Sequence, residues 1–433
     1  MATPATGGAR SRDDFLANQV VGFFRKKVYD RNPKGRLPLN ALTAKARSKK
    51  AKDYRYFYYL YDRPFQGASF TAGEIHTDPE AVTDYVAAAS PVGTIVYVTV
   101  TAEVAQQFVV GNQVQLTQDG DPRYDHFGKC IDVRVNGANS RIGLKTLHVA
   151  SASHPMTLCD YIMVAGDMHP DFSIAPPIQN YDDVEYYQFL QTSWTTYGLS
   201  GRAEETELET GDPLSIERRR KGWLHADKLE KHFLHGVRSK TIGPNRQPET
   251  SCDGLLTLAK TYGKVDYFHL NETFGGTTWI SSGGGKKFMA NRMEEAQRYG
   301  GDKRLAIIGS GASTGLTQLA EVYGNINLTP GKSDFGLDVQ NWIAPGITLM
   351  LYTHPLFSLH PNLRHAMLVL EEDELEYIYR ADTYIRKDEE AYKRGGPTMQ
   401  DGRVEAWFTD AAIVYLCPPN LTLLYGIGLD STV

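Results

Sequence analysis

The sequence predicts an α+β protein, on three observations. Short runs of alternating or apolar residues, bounded by Asn-Gly, Asp-Gly and Pro, recur along most of the chain and read as strands. One long charged stretch, Asp212–Lys240, has helical spacing. Regular βα repeats, which a doubly wound or barrel α/β fold requires, are missing. At 433 residues with 41% hydrophobic content, the chain can hold a sizeable core and more than one domain.

Taken in order, residues 1–53 hold 13 Lys and Arg against 4 Asp, a net charge of +9 in a chain whose total is −5. The remaining body is therefore −14. Gly7, Gly8, Pro33, Gly35 and Pro38 interrupt the segment, which reads as an extended arm with one helical turn around Phe15–Lys27. A basic arm on an acidic body points to a polyanion or acidic surface as the arm's neighbour, and a solvated basic tail is the plainer alternative.

YRYFYYLY (Tyr54–Tyr61) alternates aromatics and favours a strand. Thr94–Thr101, Gly111–Asp121, Cys130–Val135 and Gly143–Ala150 are short strands around Asp-Gly and Asn-Gly turns. They describe a small antiparallel β module, for which a barrel is one arrangement. QNYDDVEYYQFLQTSWTTYG (Gln179–Gly198) reads as extended. In Asp212–Lys240, Asp212 is the expected N-cap and Pro213 the first helical residue. Ile216, Trp223, Ala226, Leu229, Phe233 and Val237 form the expected buried stripe. Twenty-nine residues would span about 43 Å.

Beyond it, Ser251–Tyr262 predicts a short helix closed by Gly263, Phe274–Lys287 a Gly-rich loop, and Lys287–Tyr299 a helix. Leu305–Ile308 predicts a strand leading into GSGASTG and a helix. The last hundred residues alternate strand and turn.

Several motifs invite an enzyme reading. Gly311-Ala312-Ser313-Thr314-Gly315 matches G-x-S-x-G, with Asp334 or Asp338 and then His354 downstream in hydrolase order. The strand ends several residues before Ser313, and the flanking βα units are missing, so a helix entry capped by Ser313 or Thr314 is preferred. Gly309, Gly311 and Gly315 are one residue too long for a dinucleotide fingerprint, and Gly283–Lys287 lacks the P-loop spacing. His225, His232 and His235 have no HExxH or Cys partner, so no metal site is expected. The acidic run Glu371–Glu376 reads as a solvated edge. No catalytic, cofactor-binding or metal residue is assigned. The four cysteines form no CxxC and read as reduced thiols. No apolar run approaches the length of a membrane span, and MATPATGGARSRDDF has no signal-peptide core.

The order of segments resembles the major capsid proteins of tailed bacteriophages with the Hong Kong 97-type (Johnson) fold, in the subgroup with a β insertion in the extended loop. Three stretches carry the resemblance. NYDDVEYYQFLQTSWTTYG is similar to the segment before the family's spine helix. Arg304–Gly324 (RLAIIGSGASTGLTQLAEVYG) is similar to an axial-domain strand and helix. Ile347–Phe357 and Ala411–Gly428 are similar to the final strands.

The resemblance implies an N-arm at 1–53 and an extended loop at 54–200 with its insertion at about 90–165. It implies a peripheral domain at 201–301 and 371–433 with a spine helix at 212–240, and an axial domain at 302–370. It implies a non-enzymatic subunit assembling as hexamers and pentamers into an icosahedral virion shell in the host cytoplasm. Its partners would be scaffolding, portal and decoration proteins and packaged double-stranded DNA, with no membrane and no cofactor. Arg25, Lys26, Lys27, Lys49 and Lys50 would face DNA or scaffold, neutralising phosphates without reading sequence. A protein-cargo compartment of the same fold is the second reading, and a serine hydrolase using Ser313 the third.

Overall fold

The apolar run Leu305–Ile308 belongs to strand Lys303–Ile308, the centre of a seven-stranded mixed sheet in this computed structural model. The order across the sheet is Lys264–Tyr267, Thr422–Tyr425, Met367–Leu370, Lys303–Ile308, Ile347–Thr353, Asp338–Ala344 and Leu328–Lys332. Successive residues of a strand face opposite sides. Leu305, Ile307, Leu368, Leu370 and Leu423 enter one core, while Ala306, Ile308, Met367, Val369 and Leu424 enter another. A strand buried on both faces reads as an unbroken apolar run, which is why LAII and MLVL contain no polar residue.

The structure describes residue 43 and residues 46–431, except 62–64, 72, 87–89, 119–120, 150–154, 173, 207–210, 271–276, 324–327, 333–337, 345–346 and 388–402. The helical turn expected at Phe15–Lys27 and the acid Asp334 lie outside the described residues.

Helix Gly284–Gln297 contributes Phe288, Met289 and Met293 to the second core, and helix Ser310–Tyr323 contributes Ala312, Leu316 and Leu319. The expected Gly-rich loop therefore ends early, because Gly284 already starts a helix. A Cβ on Gly285 would lie 2.5 Å from the ring of buried Trp279. Gly285 admits a tryptophan against the first helical turn, and tertiary packing overrides its loop preference.

The long helix runs Pro213–His235, with Asp212 accepting from the backbone N–H groups of Leu214 and Ser215 at 3.3 and 3.1 Å. Asp212→Ala is expected to cost about 1 kcal/mol, read as a lowered urea midpoint. The helix stops at His235, short of the expected Lys240. Gly236 leaves the helix, and a Cβ there would meet the Cys252 carbonyl oxygen at 2.5 Å. Residues Ser239–Ile242 form a hairpin with Pro248–Ser251 instead.

The buried stripe also differs from expectation. Leu229 and Phe233 are buried, but Trp223 is 60% exposed and Val237 lies beyond the helix. His225 and Glu230 are buried in their place. A hydrophobicity pattern cannot find these two, since each is buried only because it has a polar partner.

This helix packs on strands Gln191–Leu199 and Arg403–Tyr415. Gly222, a poor helix former, sits under the Trp407 ring, where a Cβ would come within 3.1 Å. Those strands belong to a four-stranded sheet in the order Arg47–Lys50, Leu375–Lys387, Arg403–Tyr415, Gln191–Leu199. The first pair is parallel and the others are antiparallel.

All of this lies in one compact unit, formed by Met1–Tyr58 and Tyr186–Val433. The second unit, Tyr59–Glu185, is a seven-stranded sheet paired antiparallel throughout. Its order is Gly67–Ser69, Tyr161–Asp167, Asn112–Gln118, Asp121–Arg134, Ser140–Thr146, Ile95–Val100, Ile75–His76. Its outermost strands do not pair with one another among the described residues, so the sheet is open rather than a barrel. Val96, Val98, Val114, Leu116, Ile142 and Leu144 alternate inward and build its own core with Phe108 and Met156.

The four cysteines are free thiols, and burial pushes Cys130, Cys159 and Cys252 up to about 12. Among the described residues, no helix is long and apolar enough to cross a membrane.

Candidate functional site

A polar constellation lies between the long helix and the four-stranded sheet. Glu405, 1% exposed, projects from strand Arg403–Tyr415 toward the helix. Arg218 of the helix donates to it from Nε at 2.7 Å and also from Nη2. Arg403 lies 2.9 Å away through Nε, and the Tyr197 hydroxyl donates from the neighbouring strand. The Arg218 hydrogen bonds, and then that of Tyr197, hold the Glu405 carboxyl down at about 2 against its burial. The bidentate fork also raises the Arg218 guanidinium further above its ordinary range.

About two turns further along the helix, the ring of His225 bridges two strands. Nδ1 lies 3.0 Å from Thr195 Oγ1 and Nε2 2.8 Å from Thr409 Oγ1. Burial, then Lys228, lowers this imidazole to about 4, so it is neutral at pH 7. Near the helix end, Glu230 and His354 form a fully buried pair, Oε1 to Nε2 at 2.8 Å. His354 Nδ1 accepts from the backbone N–H of Leu356 at 3.0 Å and so caps helix Pro355–Leu359. That bond assigns the imidazole proton to Nε2, which donates to Glu230.

These contacts have a mechanical meaning. They bolt one helix to strands that are distant in sequence, and among them no nucleophile faces a free base. His354, the base that a Ser313 hydrolase would need, spends both ring nitrogens elsewhere. Ser313 itself lies inside helix Ser310–Tyr323, so neither it nor Thr314 is the cap. The glycines around it have packing reasons. A Cβ on Gly309 would sit 2.3 Å from the Arg364 carbonyl oxygen, on Gly311 2.5 Å from the His365 ring, and on Gly315 2.5 Å from the Gly428 backbone. Gly315→Ala is expected to destabilise by about 1–3 kcal/mol, because backbone cannot step aside as a side chain would; a thermal melt reads it.

His225, His232 and His235 do not converge. His225 bonds to the two threonines, and His235 stacks on His360 at 5.6 Å. Among the described residues, no group of three or more His, Cys, Asp or Glu could hold a metal ion.

The acidic run Glu371–Glu376 is not a solvated edge. Glu376 is 1% exposed and lies 2.9 Å from Lys49 Nζ, while Glu371 lies 3.1 Å from buried Arg304 and accepts from the backbone of Gly301. Of the predicted arm cations, Arg25, Lys26 and Lys27 lie outside the described residues. Lys49 and Lys50 lie on exposed strand Arg47–Lys50, in parallel register with Glu376–Tyr379. The Glu376 hydrogen bond raises the Lys49 ammonium above its usual range.

Sequence reasoning missed Glu405, Arg218, Tyr197 and Glu230, and singled out His354 only as a hydrolase base. Two signals were available: a carboxylate inside the apolar strand VEAWF, and a charge beside Leu229 on the helix's buried face.

Searched against models of protein families and against curated proteins, the sequence matches none. The structure is similar to solved structures at low identity. A solved structure from Mycobacterium phage Cain is 8% identical, with 96% of this chain and 98% of that chain covered and a TM-score of 0.44. The capsid of a native GTA particle is 8% identical, with 94% and 96% covered and a TM-score of 0.42. The SrpI encapsulin of Synechococcus elongatus PCC 7942 is 13% identical, with 57% and 76% covered and a TM-score of 0.37.

Proposed function

We propose that this chain is the major capsid protein of a tailed bacteriophage, a Hong Kong 97-type subunit that self-assembles into an icosahedral head around double-stranded DNA. The observation that carries the reading is the order of elements. The segment NYDDVEYYQFLQTSWTTYG folds as strands Val184–Phe189 and Gln191–Leu199, followed by the short helix Gly201–Glu205 and then a 23-residue charged helix. The chain then builds the strand and helix of 303–323 and returns through Arg403–Tyr415, which pairs in register with Gln191–Leu199. This is the sequence of parts that the family resemblance implies.

In this reading residues 1–53 are the N-arm, 54–200 the extended loop with its insertion, 201–301 and 371–433 the peripheral domain, and 302–370 the axial domain. The subunit is non-enzymatic and resides in the virion shell after assembly in the host cytoplasm. Arm cations, Lys50 among them, meet packaged DNA or a scaffolding protein, and portal and decoration proteins complete the head. Supporting it physically are large exposed apolar side chains, among them Tyr59, Tyr61, Phe65 and Trp223, which a partner surface would cover.

Light scattering and electron microscopy of the purified protein test this. Pentamers, hexamers or megadalton particles are expected. A stable monomer or dimer overturns the reading, and particles filled with protein in place of DNA select the cargo compartment.

A further inference from the structure

A cavity of about 390 Å³ lies between helix Pro213–His235 and the four-stranded sheet. Small-molecule sites occupy roughly 300–1,000 Å³, so the volume is sufficient for one. The helix lines it with Gly222, His225, Ala226, Leu229 and Phe233, whose spacing traces a single helix face.

The sheet supplies Tyr377, Tyr379 and Trp407. The rings of Tyr377 and Tyr379 are stacked, with centroids 5.8 Å apart and planes 24° apart. Phe233 meets Tyr377 edge-on at 6.3 Å. Strand alternation keeps cations off this wall. Ser48, in register with Tyr377, lines the cavity, whereas Lys49 pairs with Glu376 on the opposite side of the strand. No Lys or Arg is among the described residues that line it.

One charge does reach the cavity. Asp382 and Thr383 both line it, although neighbours in a regular strand face opposite sides. Strand Leu375–Lys387 slips register against Arg403–Tyr415 between Tyr379 and Ala381 and again between Ala381 and Tyr384. Such irregularities re-aim side chains and are over-represented beside functional sites. Asp382 is exposed and accepts from the Tyr377 hydroxyl at 3.2 Å and from the Thr383 backbone N–H at 2.7 Å. Thr383 Oγ1 lies 2.7 Å from Thr409 Oγ1, which lies 2.8 Å from His225 Nε2. Burial keeps that imidazole neutral at pH 7.

The cavity therefore combines aromatic rings, whose faces are electron-rich, with one carboxylate and no cation. This composition favours a positively charged guest with an apolar body and disfavours an anion.

We propose that the cavity is a binding site for a small organic cation, an amine whose apolar part packs against Phe233, Tyr377 and Tyr379 and whose ammonium group faces Asp382. Every group it uses comes from one copy, so the site does not depend on assembly. A guest held there bridges the helix and the sheet, and it stabilises the folded chain by mass action.

Calorimetric titration of the full-length chain tests this with three probes of one shape: 2-phenylethylammonium, uncharged 2-phenylethanol and anionic phenylacetate. The ammonium is expected to bind about tenfold more tightly than the alcohol, and phenylacetate most weakly. Asp382→Asn keeps an oxygen that accepts both hydrogen bonds, so the fold is expected to survive. It should abolish the preference for the ammonium and leave the alcohol's affinity within about twofold. Tyr379→Leu should weaken the ammonium and the alcohol together, because it removes a ring from the wall. Equal affinity for ammonium and alcohol, a preference that survives Asp382→Asn, or an affinity unmoved by Tyr379→Leu overturns the site. So does a wild-type chain whose titration and melting temperature both ignore the ammonium.

Discussion

Replacing His354 with alanine is expected to lower the unfolding free energy of the unassembled chain by about 3 kcal/mol, the upper end of the range for taking a hydrogen-bond partner from a buried polar group. His354 and Glu230 are both 0% exposed and share a 2.8 Å hydrogen bond. Removing the imidazole takes the Nε2 donor away from the fully buried Glu230 carboxyl. It also removes the acceptor at the N-terminus of Pro355–Leu359. Urea unfolding at pH 7 measures the loss. A companion Glu230→Leu/His354→Ala variant is expected to recover part of it, because it buries no carboxyl there at all. Equal losses in the single and double variants would show that cavity formation dominates, and the pair would then carry little.

The second large effect is a dependence on acid centred on Glu405. Its carboxyl is held at about 2 by Arg218 and Tyr197, against an ordinary value of 4.5. A carboxylate depressed in the folded state binds fewer protons there than in the unfolded chain. Its stabilising contribution is complete above about pH 4.5 and is lost as pH falls toward 2. Glu405→Gln is expected to cost about 1.5–3 kcal/mol at neutral pH, the worth of hydrogen bonds to a charged group. The difference from wild type should shrink steadily between pH 4.5 and 2. Chemical denaturation across that range reads it, and a constant offset down to pH 2 would remove Glu405 as the source.

These two clusters explain how far the sequence could be read. The strand LAII, the Asp212–Pro213 helix start and the alternating strands of 94–146 were legible because each depends on local chemistry. An apolar run, a capping carboxylate or a period of two needs no distant partner. The helix's buried face was misread for the opposite reason. Trp223 looked like core and Glu230 like surface, but which is buried depends on His354, far along the chain. The run Glu371–Glu376 looked solvated because its cations, Lys49 and Arg304, arrive from other elements. The glycines of GSGASTG imitated a nucleophile elbow, while their cause is backbone pressing in from Arg364 and Gly428 and the ring of His365.

The sequence by itself determined the α+β class, most strands, the start of the long helix and the separation of a basic arm from an acidic body. Only the tertiary structure decided where that helix ends, which charges are buried, and that the β module is an open sheet. The physical reason is common to all three. Capping and periodicity are properties of neighbouring residues, whereas burying a carboxylate or stopping a helix against Cys252 requires a partner that sequence distance hides. The acidic body shows the same division. Its charge could be counted from the sequence, but the fold reveals that Tyr59–Glu185 holds most of it as a unit with a core of its own.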